Sequence, residues 1–153
     1  MYKLGLTTEE INNSISTLSE LLKEQFMLFG NILNVHWNIE GQNFIGLHKM
    51  LEKHYEYTKE SCDNIAERIR VFGIKAPANQ RHSIENSAIG VISEHCEIPE
   101  FINALASDYE KVICKLRSAI NSMNQSSDFG TKSLIEDQLL SFEKLHWELI
   151  SNK

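Results

Sequence analysis

The sequence predicts an all-α fold built as a bundle of four long helices. Only two prolines and seven glycines occur among 153 residues, so long segments lack the residues that most often interrupt helices. Apolar residues recur in these segments at the spacing of amphipathic helices. A long connection, residues 74–97, separates the first two predicted helices from the last two, as in bundles with one crossover. The length and a hydrophobic content of 42% predict a single domain over residues 1–153.

The first predicted helix covers residues 7–38. Thr7 and Glu10 have the spacing of a capping box, in which side chains satisfy the free N–H groups of the first helical turn. Apolar residues seven positions apart define a stripe that we expect to be buried, and His36 continues it. The members of this stripe are Ile15, Leu22, Phe29 and His36.

The second predicted helix runs from Phe44 to Phe72, with Asn43 as its N-cap and Gly73 just beyond its end. One stripe along it is predicted to lie in the core, and its members are Leu47, Leu51, His54, Thr58, Ile65, Ile69 and Phe72. A second stripe is acidic, and taken alone it indicates a solvated helix face. Its members are Glu52, Glu56, Glu60, Asp63 and Glu67.

The second half of the chain contains the crossover and two further predicted helices. Within the crossover, residues 83–88 are predicted to form a short helix. Pro99 suits the first turn of a third helix, which we expect to end near Met123. The fourth helix is predicted from Thr131 to Ile150.

Composition limits the partners and the compartment that we expect. The net charge of −6 disfavours non-specific binding to nucleic acid, which depends on neutralising phosphates with lysine and arginine. The sequence has no apolar run long enough to span a membrane and no signal-peptide pattern, so a cytoplasmic location is expected. Cys62, Cys96 and Cys114 are odd in number and lack a C-x-x-C spacing, which predicts free, buried thiols.

Four residues on the first and second predicted helices form a candidate metal site: His36, His48, Asp63 and Glu67. Two imidazoles with two carboxylates form a ligand set that suits iron. Asp63 and Glu67 lie four positions apart, on one face of a helix. His48 precedes Asp63 by fifteen residues, which is roughly 22 Å along a helix, whereas metal ligands lie about 2 Å from the ion. If all four residues serve one site, a second copy of the chain must supply half of it, across a two-fold axis.

The motifs that carry these residues resemble those of the Dps proteins, the ferritin-like miniferritins of bacteria. The motifs are H-W-N at residues 36–38, N-F-x-x-L-H at residues 43–48 and D-N-I-A-E-R-I at residues 63–69. The resemblance implies a ferritin-like four-helix bundle with a short helix in the crossover. It also places the family's ferroxidase ligands, shared between two-fold-related subunits, on His36, His48, Asp63 and Glu67.

The resemblance further implies an iron-storage and detoxification function. Such a protein oxidises Fe(II), preferably with hydrogen peroxide, stores the ferric mineral inside a hollow dodecamer and protects the cell against oxidative stress. The sequence leaves open whether peroxide or oxygen is the oxidant, whether each site holds one iron or two, and whether zinc substitutes for iron. By loose alignment Asp128 corresponds to the acids that line the family's iron pores. The family often has further acids just after the second histidine, where this chain has Lys49 and Lys53 among Glu52 and Glu56, so the sequence leaves the site of mineral nucleation open.

Three other readings compete with an intersubunit ferroxidase. Ferritins and bacterioferritins bind two irons inside one bundle through two Glu-x-x-His motifs. This chain has one such motif, from Glu143 to His146, and Arg70 stands where the histidine of a second motif is needed. Some Dps proteins compact DNA with lysine-rich tails, whereas the terminal segments here hold only Lys3 and Lys153, so DNA binding is not expected. A bundle without metal chemistry is the third reading, and intact ligands disfavour it. Trp37 is expected to pack at the dimer interface.

Overall fold

The computed structural model of the protein is all-helical in the part of the chain that it describes, which confirms the predicted fold class. It describes residue 2, residues 4–78 and residues 80–152, with the side chains of residues 80–82 left out. The terminal cations Lys3 and Lys153 lie outside the described residues. The helices are α1 (Thr8–Asn38), α2 (Phe44–Val71), α3 (Gln80–Asn86), α4 (Ile98–Ser122) and α5 (Phe129–Ile150).

The four long helices pack as two pairs. Helix α1 lies against α2, α4 lies against α5, and α1 joins the pairs through α4. The short α3 belongs to the crossover between α2 and α4 and contacts α1. Within the described residues, no helix is both long enough and apolar enough to cross a membrane.

The core stripe predicted for α2 is fully buried, from Leu47 to Phe72. On α1 the prediction was only partly right. Leu22 and His36 are buried, but Ile15 and Phe29 are half-buried, and Phe29 lines an open groove beside the helix. The interior face of α1 is formed mainly by a neighbouring stripe, whose members are Ile11, Leu18, Leu21, Leu28, Ile32 and Val35.

The start of α1 forms the predicted capping box. The Thr7 hydroxyl accepts the Glu10 N–H at 3.2 Å, and the Glu10 carboxylate accepts the Thr7 N–H at 2.8 Å. The same carboxylate accepts the N–H of Ser127 at 2.8 Å, which joins the first helix to the loop before α5. These backbone hydrogen bonds, from Thr7 first and then Ser127, lower the pKa of Glu10 to about 2.

The turn before α2 differs from the prediction at Asn43. Its side chain makes no capping hydrogen bond, and its backbone is left-handed with φ of 64°. Asparagine tolerates this conformation better than most residues, so its contribution is to the chain reversal and not to a side-chain cap. At the other end Gly73, with φ of 80°, follows α2 as predicted.

Two buried polar residues of α1 fix the crossover to the bundle. Glu24 accepts hydrogen bonds from the Ser87 hydroxyl at 2.5 Å and the Ala88 N–H at 3.0 Å. Asn31 donates to the Gly90 carbonyl at 2.7 Å and accepts from the Ile92 N–H at 3.2 Å. Helix α3 lies at residues 80–86 and not at the predicted residues 83–88. The bond to Glu24 accounts for its end, because the N–H of Ala88 donates to that carboxylate instead of extending the helix.

Asp128 is buried at the start of α5 and does not have the position expected of a pore-lining acid. One carboxylate oxygen accepts from Arg68 on α2 at 2.6 Å and from the N–H of Thr131 at 3.1 Å. The other accepts from Ser14 on α1 at 2.6 Å. Only 2% of Asp128 is exposed in the single chain, and assembly cannot increase that fraction. The residue is a helix cap that joins three helices, so the pore assignment was wrong.

Replacing Asp128 by asparagine is expected to lower the free energy of unfolding by about 2 to 4 kcal/mol, because the Arg68 guanidinium loses its buried charged partner. Burial alone would raise the pKa of Asp128, but the hydrogen bonds from Ser14 and Thr131 and the Arg68 charge lower it overall. The stabilisation is therefore present at neutral pH, above the unfolded-state pKa. It is lost as the pH falls through the lowered folded-state pKa.

Urea unfolding followed by circular dichroism measures this effect. Asp137→Asn is the matched control, because Asp137 is an exposed aspartate on the same helix. Its free energy of unfolding should stay within about 0.5 kcal/mol of the parent protein. Equal midpoints for the Asp128→Asn protein and the parent would contradict the role of this carboxylate in the fold.

Candidate metal centre

His36 and His48 form a reciprocal clasp between the end of α1 and the start of α2. Their rings are stacked, with centroids 3.8 Å apart and planes 18° from parallel. The Nδ1 atom of His36 lies 3.1 Å from the carbonyl oxygen of His48, and the Nδ1 atom of His48 lies 3.0 Å from the carbonyl oxygen of His36. The chain reverses between them through Gly41 and Asn43, both of which have positive φ. The turn therefore brings together two histidines that are twelve residues apart in sequence.

The clasp determines which ring nitrogen can bind a ligand. A carbonyl oxygen only accepts hydrogen bonds, so each Nδ1 must carry the proton and donate it. Each Nε2 then keeps its lone pair. Histidines that bind metals commonly donate their other N–H to a carbonyl or carboxylate, which fixes the orientation of the ring. Burial first, and then the neighbouring His48, lower the pKa of His36, which favours the neutral, ligating form.

Aromatic side chains surround the clasp. The edge of the Tyr55 ring lies against His36 with a centroid distance of 5.0 Å, and the Phe44 ring lies 5.0 Å from that of His48. Trp37, the next residue after His36, is 70% exposed and so is available to a partner in this single chain. Its predicted place in a dimer interface stays a prediction.

The two candidate carboxylates lie far from the clasp. Asp63 and Glu67 are exposed, one turn apart near the C-terminal end of α2. Asp63 lies fifteen positions after His48 and the helix is continuous between them, which corresponds to roughly 22 Å. Among the described residues of one chain, no cluster of three or more His, Cys, Asp or Glu side chains could hold a metal ion. One chain thus brings the histidines together and the acids together, but not both pairs.

A large groove lies beside Asp63, between α1, α2 and the segment after α2. Its volume is about 1140 Å³. Charged residues of both signs are mixed with an apolar part that includes Leu22, Phe26, Phe29, Tyr57, Cys62, Ala66, Ala76 and Pro77. The groove is therefore a partly apolar surface next to one of the candidate carboxylates.

The cysteines are free, but they are not all buried as predicted. Cys62 and Cys96 are half-buried, whereas Cys114 is exposed on α4. Burial first, and then the charge of Asp63, raise the pKa of Cys62 to about 12. Because the thiolate is the metal-binding form, Cys62 is a poor ligand despite its position beside Asp63.

The side chains around Glu143 and His146 do not support an iron site inside the bundle. Glu143 pairs with Arg117 on α4, and Nε2 of His146 lies 3.5 Å from a carboxylate oxygen of Glu110. The interior at this level is filled by Phe142 and Tyr109, with ring centroids 6.2 Å apart. The Glu-x-x-His motif is therefore directed toward α4 and not into a polar cavity.

Sequence reasoning missed a buried polar contact in the same interior. His54 was predicted as a core residue of α2, and Tyr109 is fully buried on α4. The structure joins them by a hydrogen bond of 2.9 Å between the Tyr109 hydroxyl and Nδ1 of His54. No pattern in the sequence specifies this pairing, because the two residues lie 55 positions apart and each fits its own helical stripe.

The clasp predicts the tautomers of two histidines. At neutral pH both His36 and His48 should carry the proton on Nδ1, because each Nδ1 donates to a carbonyl. Nitrogen-15 NMR of histidine-labelled protein, assigned with His36→Asn and His48→Asn variants, distinguishes the two ring nitrogens. His95, whose side chain is 86% exposed, serves as the reference for a solvent-facing imidazole. A proton on Nε2 of either clasp histidine would contradict the arrangement.

Comparison with known proteins identifies the family of this chain. The ferritin-like domain family matches residues 15–151. Antigen TpF1 of Treponema pallidum (strain Nichols) is 30% identical over 143 residues, covering 89% of this chain and 80% of the relative. DNA protection during starvation protein 2 of Bacillus anthracis is 28% identical over 135 residues, covering 88% of this chain and 92% of the relative.

A solved structure has the same fold. The Dps protein of Vibrio cholerae O1 superimposes with a TM-score of 0.91 at 23% identity, covering 99% of this chain and 95% of that protein. Its fold therefore matches that of the present chain over almost the whole length. Together with the family match and the relatives, this likeness confirms the resemblance drawn from the sequence motifs. The chain belongs to the ferritin-like family and, within it, to the Dps proteins.

Proposed function

We propose that this protein is a ferroxidase that oxidises Fe(II) with hydrogen peroxide at sites shared by two subunits. His36 and His48 of one subunit and Asp63 and Glu67 of its two-fold partner bind the iron. The ferric product is stored inside a hollow shell of twelve copies, in which each chain acts as one ferritin-like domain. The function is iron storage together with protection against oxidative stress.

The observation that carries the proposal is the His36–His48 clasp. Two imidazoles are stacked, held by backbone acceptors and left with Nε2 free, which is how protein histidines are prepared for a metal. A pair of core histidines with only a structural role would not need both rings oriented through the same nitrogen. The family relationship supports iron as the metal, and the Vibrio cholerae relative is described as a member of the ferritin-like diiron-carboxylate proteins.

The length of α2 supports a site between chains. Since roughly 22 Å separates His48 from Asp63 along the helix, one chain cannot place all four ligands on one ion. Two antiparallel copies of α2 around a two-fold axis bring the histidines of one copy to the acids of the other. The partly apolar groove beside Asp63 is a suitable surface for the partner to cover.

Iron is the substrate of this reaction, and the ligands match both of its oxidation states. Imidazole nitrogens suit Fe(II), and the carboxylates stabilise the Fe(III) that forms. Two Fe(II) ions give two electrons to one peroxide, which takes up two protons and becomes two water molecules. No hydroxyl radical is released when both electrons arrive together. Zinc competes for the same nitrogen and oxygen ligands.

Neutralising the carboxylates should abolish rapid oxidation. Fe(II) is loaded without oxygen, peroxide is added at one molecule per two irons, and ferric absorbance is followed. The Asp63→Asn/Glu67→Gln protein should react at least about a hundredfold more slowly than the parent. Glu9→Gln/Glu94→Gln removes two exposed charges elsewhere and should react like the parent. Light scattering establishes that all three proteins have the same size. Equal rates for the first variant and the parent would refute the proposal.

Mixed assemblies test the sharing of the site. One variant, His36→Ala/His48→Ala, lacks the histidines, and the Asp63→Asn/Glu67→Gln variant lacks the acids. A hybrid dimer has one intact site and one site without ligands. Random mixing by co-refolding should therefore restore about a quarter of the parent activity, although each variant alone is inactive. No recovery in correctly sized hybrids would show that the four residues do not act across a two-fold interface.

A second candidate function is DNA protection, which the Bacillus anthracis relative has in its name. Protection without binding fits this chain better, because its net charge of −6 disfavours contact with phosphates. Removing Fe(II) and peroxide would protect DNA at a distance.

Plasmid DNA separates the two modes of protection. The parent protein should prevent strand nicking by Fe(II) and peroxide but should not shift the plasmid in a low-salt gel without magnesium. The Asp63→Asn/Glu67→Gln protein should fail to protect. A gel shift by the parent, or protection by this variant, would favour binding over iron removal.

A further inference from the structure

Tyr109 and His54 form a hydrogen-bonded polar pair in the core of the bundle. Both side chains are completely buried. The Tyr109 hydroxyl lies 2.9 Å from Nδ1 of His54, and the two rings meet edge to face at a centroid distance of 5.7 Å. Neither residue is among the proposed iron ligands.

The surroundings determine where the protons of this pair lie. Nε2 of His54 lies 3.4 Å from a carboxylate oxygen of Glu148, and both carboxylate oxygens also accept from Lys53 at 2.7 and 2.8 Å. A carboxylate accepts, so the Nε2 proton points toward it and Nδ1 accepts the Tyr109 hydroxyl. Burial lowers the pKa of His54 to about 4, so the ring is neutral at physiological pH. The Lys53 hydrogen bond lowers the pKa of Glu148, which is anionic.

Packing alone is a poor explanation of this pair. The Nε2 atom of His54 is buried without a well-aligned hydrogen-bond partner in the described structure, since the contact with Glu148 is long. A buried polar atom without a good partner costs free energy, and apolar residues of similar size would avoid this cost. The arrangement instead suits a phenol whose proton has a base beside it, with an anion behind that base.

An aromatic chain leads from the groove to this pair. Tyr57 is half-buried and lines the groove that also contains Asp63. Its ring lies 5.5 Å from that of Phe142, which lies 6.2 Å from that of Tyr109. Successive aromatic contacts therefore connect the side of the molecule where we propose oxidation to the interior.

We propose that Tyr109 and His54 act as an internal one-electron sink, in which Tyr109 gives up an electron while its hydroxyl proton moves to Nδ1 of His54. The physiological oxidant is peroxide at an iron site that holds only one Fe(II). The supply of oxidant to Tyr109 therefore rests on the function proposed above. One electron comes from Fe(II) and one from Tyr109, and the peroxide takes up two protons to become two water molecules. The products in the protein are a neutral tyrosyl radical and a protonated His54.

The fold favours this outcome over release of a hydroxyl radical. The Glu148 carboxylate stabilises the positive charge on His54, because it faces the other nitrogen of the same ring. The buried position keeps the radical away from solvent and from partner molecules. A later Fe(II) ion restores the phenol by returning the electron, and the proton moves back from His54.

A photochemical experiment tests the pair without iron. The full-length, iron-free protein is illuminated with a ruthenium polypyridyl complex and a sacrificial electron acceptor, frozen, and examined by electron paramagnetic resonance. The parent should give a long-lived neutral tyrosyl radical. Tyr109→Phe should lose this signal, whereas Tyr2→Phe, a change at an exposed tyrosine, should retain it.

His54→Gln separates proton acceptance from structure. The amide oxygen of glutamine can still accept the Tyr109 hydrogen bond, but it is not a base. The radical yield should fall by about a hundredfold. Glu148→Gln keeps the Tyr109–His54 bond and removes the anion, so the radical should decay faster than in the parent. Circular dichroism identifies any variant that does not fold. If either His54→Gln or Glu148→Gln fails to fold, the radical signal of the folded one tests the proposal.

Equal yields and lifetimes in the parent and a folded His54→Gln or Glu148→Gln protein would overturn the proposal, as would an undiminished signal in Tyr109→Phe. Because the oxidant is supplied by light, these results are independent of the iron-oxidation assay. Failure of the electron sink and failure of the ferroxidase function are therefore distinguishable.

Discussion

A helix of 28 residues cannot bring its own ends together, and this property of α2 determines how the candidate ligands can be arranged. The helix holds His48 in its first turns and the carboxylates Asp63 and Glu67 near its other end. Its core stripe is buried along the whole length, so it cannot bend without opening the bundle. Within one chain, His48 and the two carboxylates therefore cannot bind the same ion.

Buried hydrogen bonds give the bundle its exact register. Gln25 on α1, Ser61 on α2 and Gln138 on α5 form a closed set, with Ser61 donating to Gln25 at 2.7 Å and Gln25 donating to Gln138 at 2.9 Å. Gln138 donates in turn to the backbone carbonyl of Ser61 at 3.2 Å. Apolar stripes tolerate sliding by small amounts, but such directional contacts do not. The register matters because Ser61 is only two residues from Asp63, so this set holds the part of α2 that presents the acids.

Several features that depend on local pattern were predicted correctly, although Asn43 does not cap α2 with its side chain and the α1 stripe is only partly buried. Features that depend on distant partners were missed. The α2 core stripe, the Thr7 capping box and Gly73 follow from spacing and backbone preference, and all three were right. Asp128 was misassigned because its partners, Ser14 and Arg68, lie 114 and 60 residues away. For the candidate site, residue types and spacing singled out four side chains as candidate ligands, and that assignment stays a proposal. The spacing could not specify that each clasp histidine would use the other's carbonyl as its acceptor.

The clasp also makes the orientation of both histidine rings depend on one turn of the backbone. Each ring is oriented by the backbone of the other residue, across a turn that depends on Gly41 and Asn43. A change at either histidine removes one ring and also leaves the remaining residue's carbonyl without its donor. The remaining imidazole keeps its own acceptor, because that acceptor is a backbone carbonyl, but it loses the ring stacked against it. A change in the turn at Gly41 and Asn43, by contrast, would displace both carbonyls and so disorient the two imidazoles together.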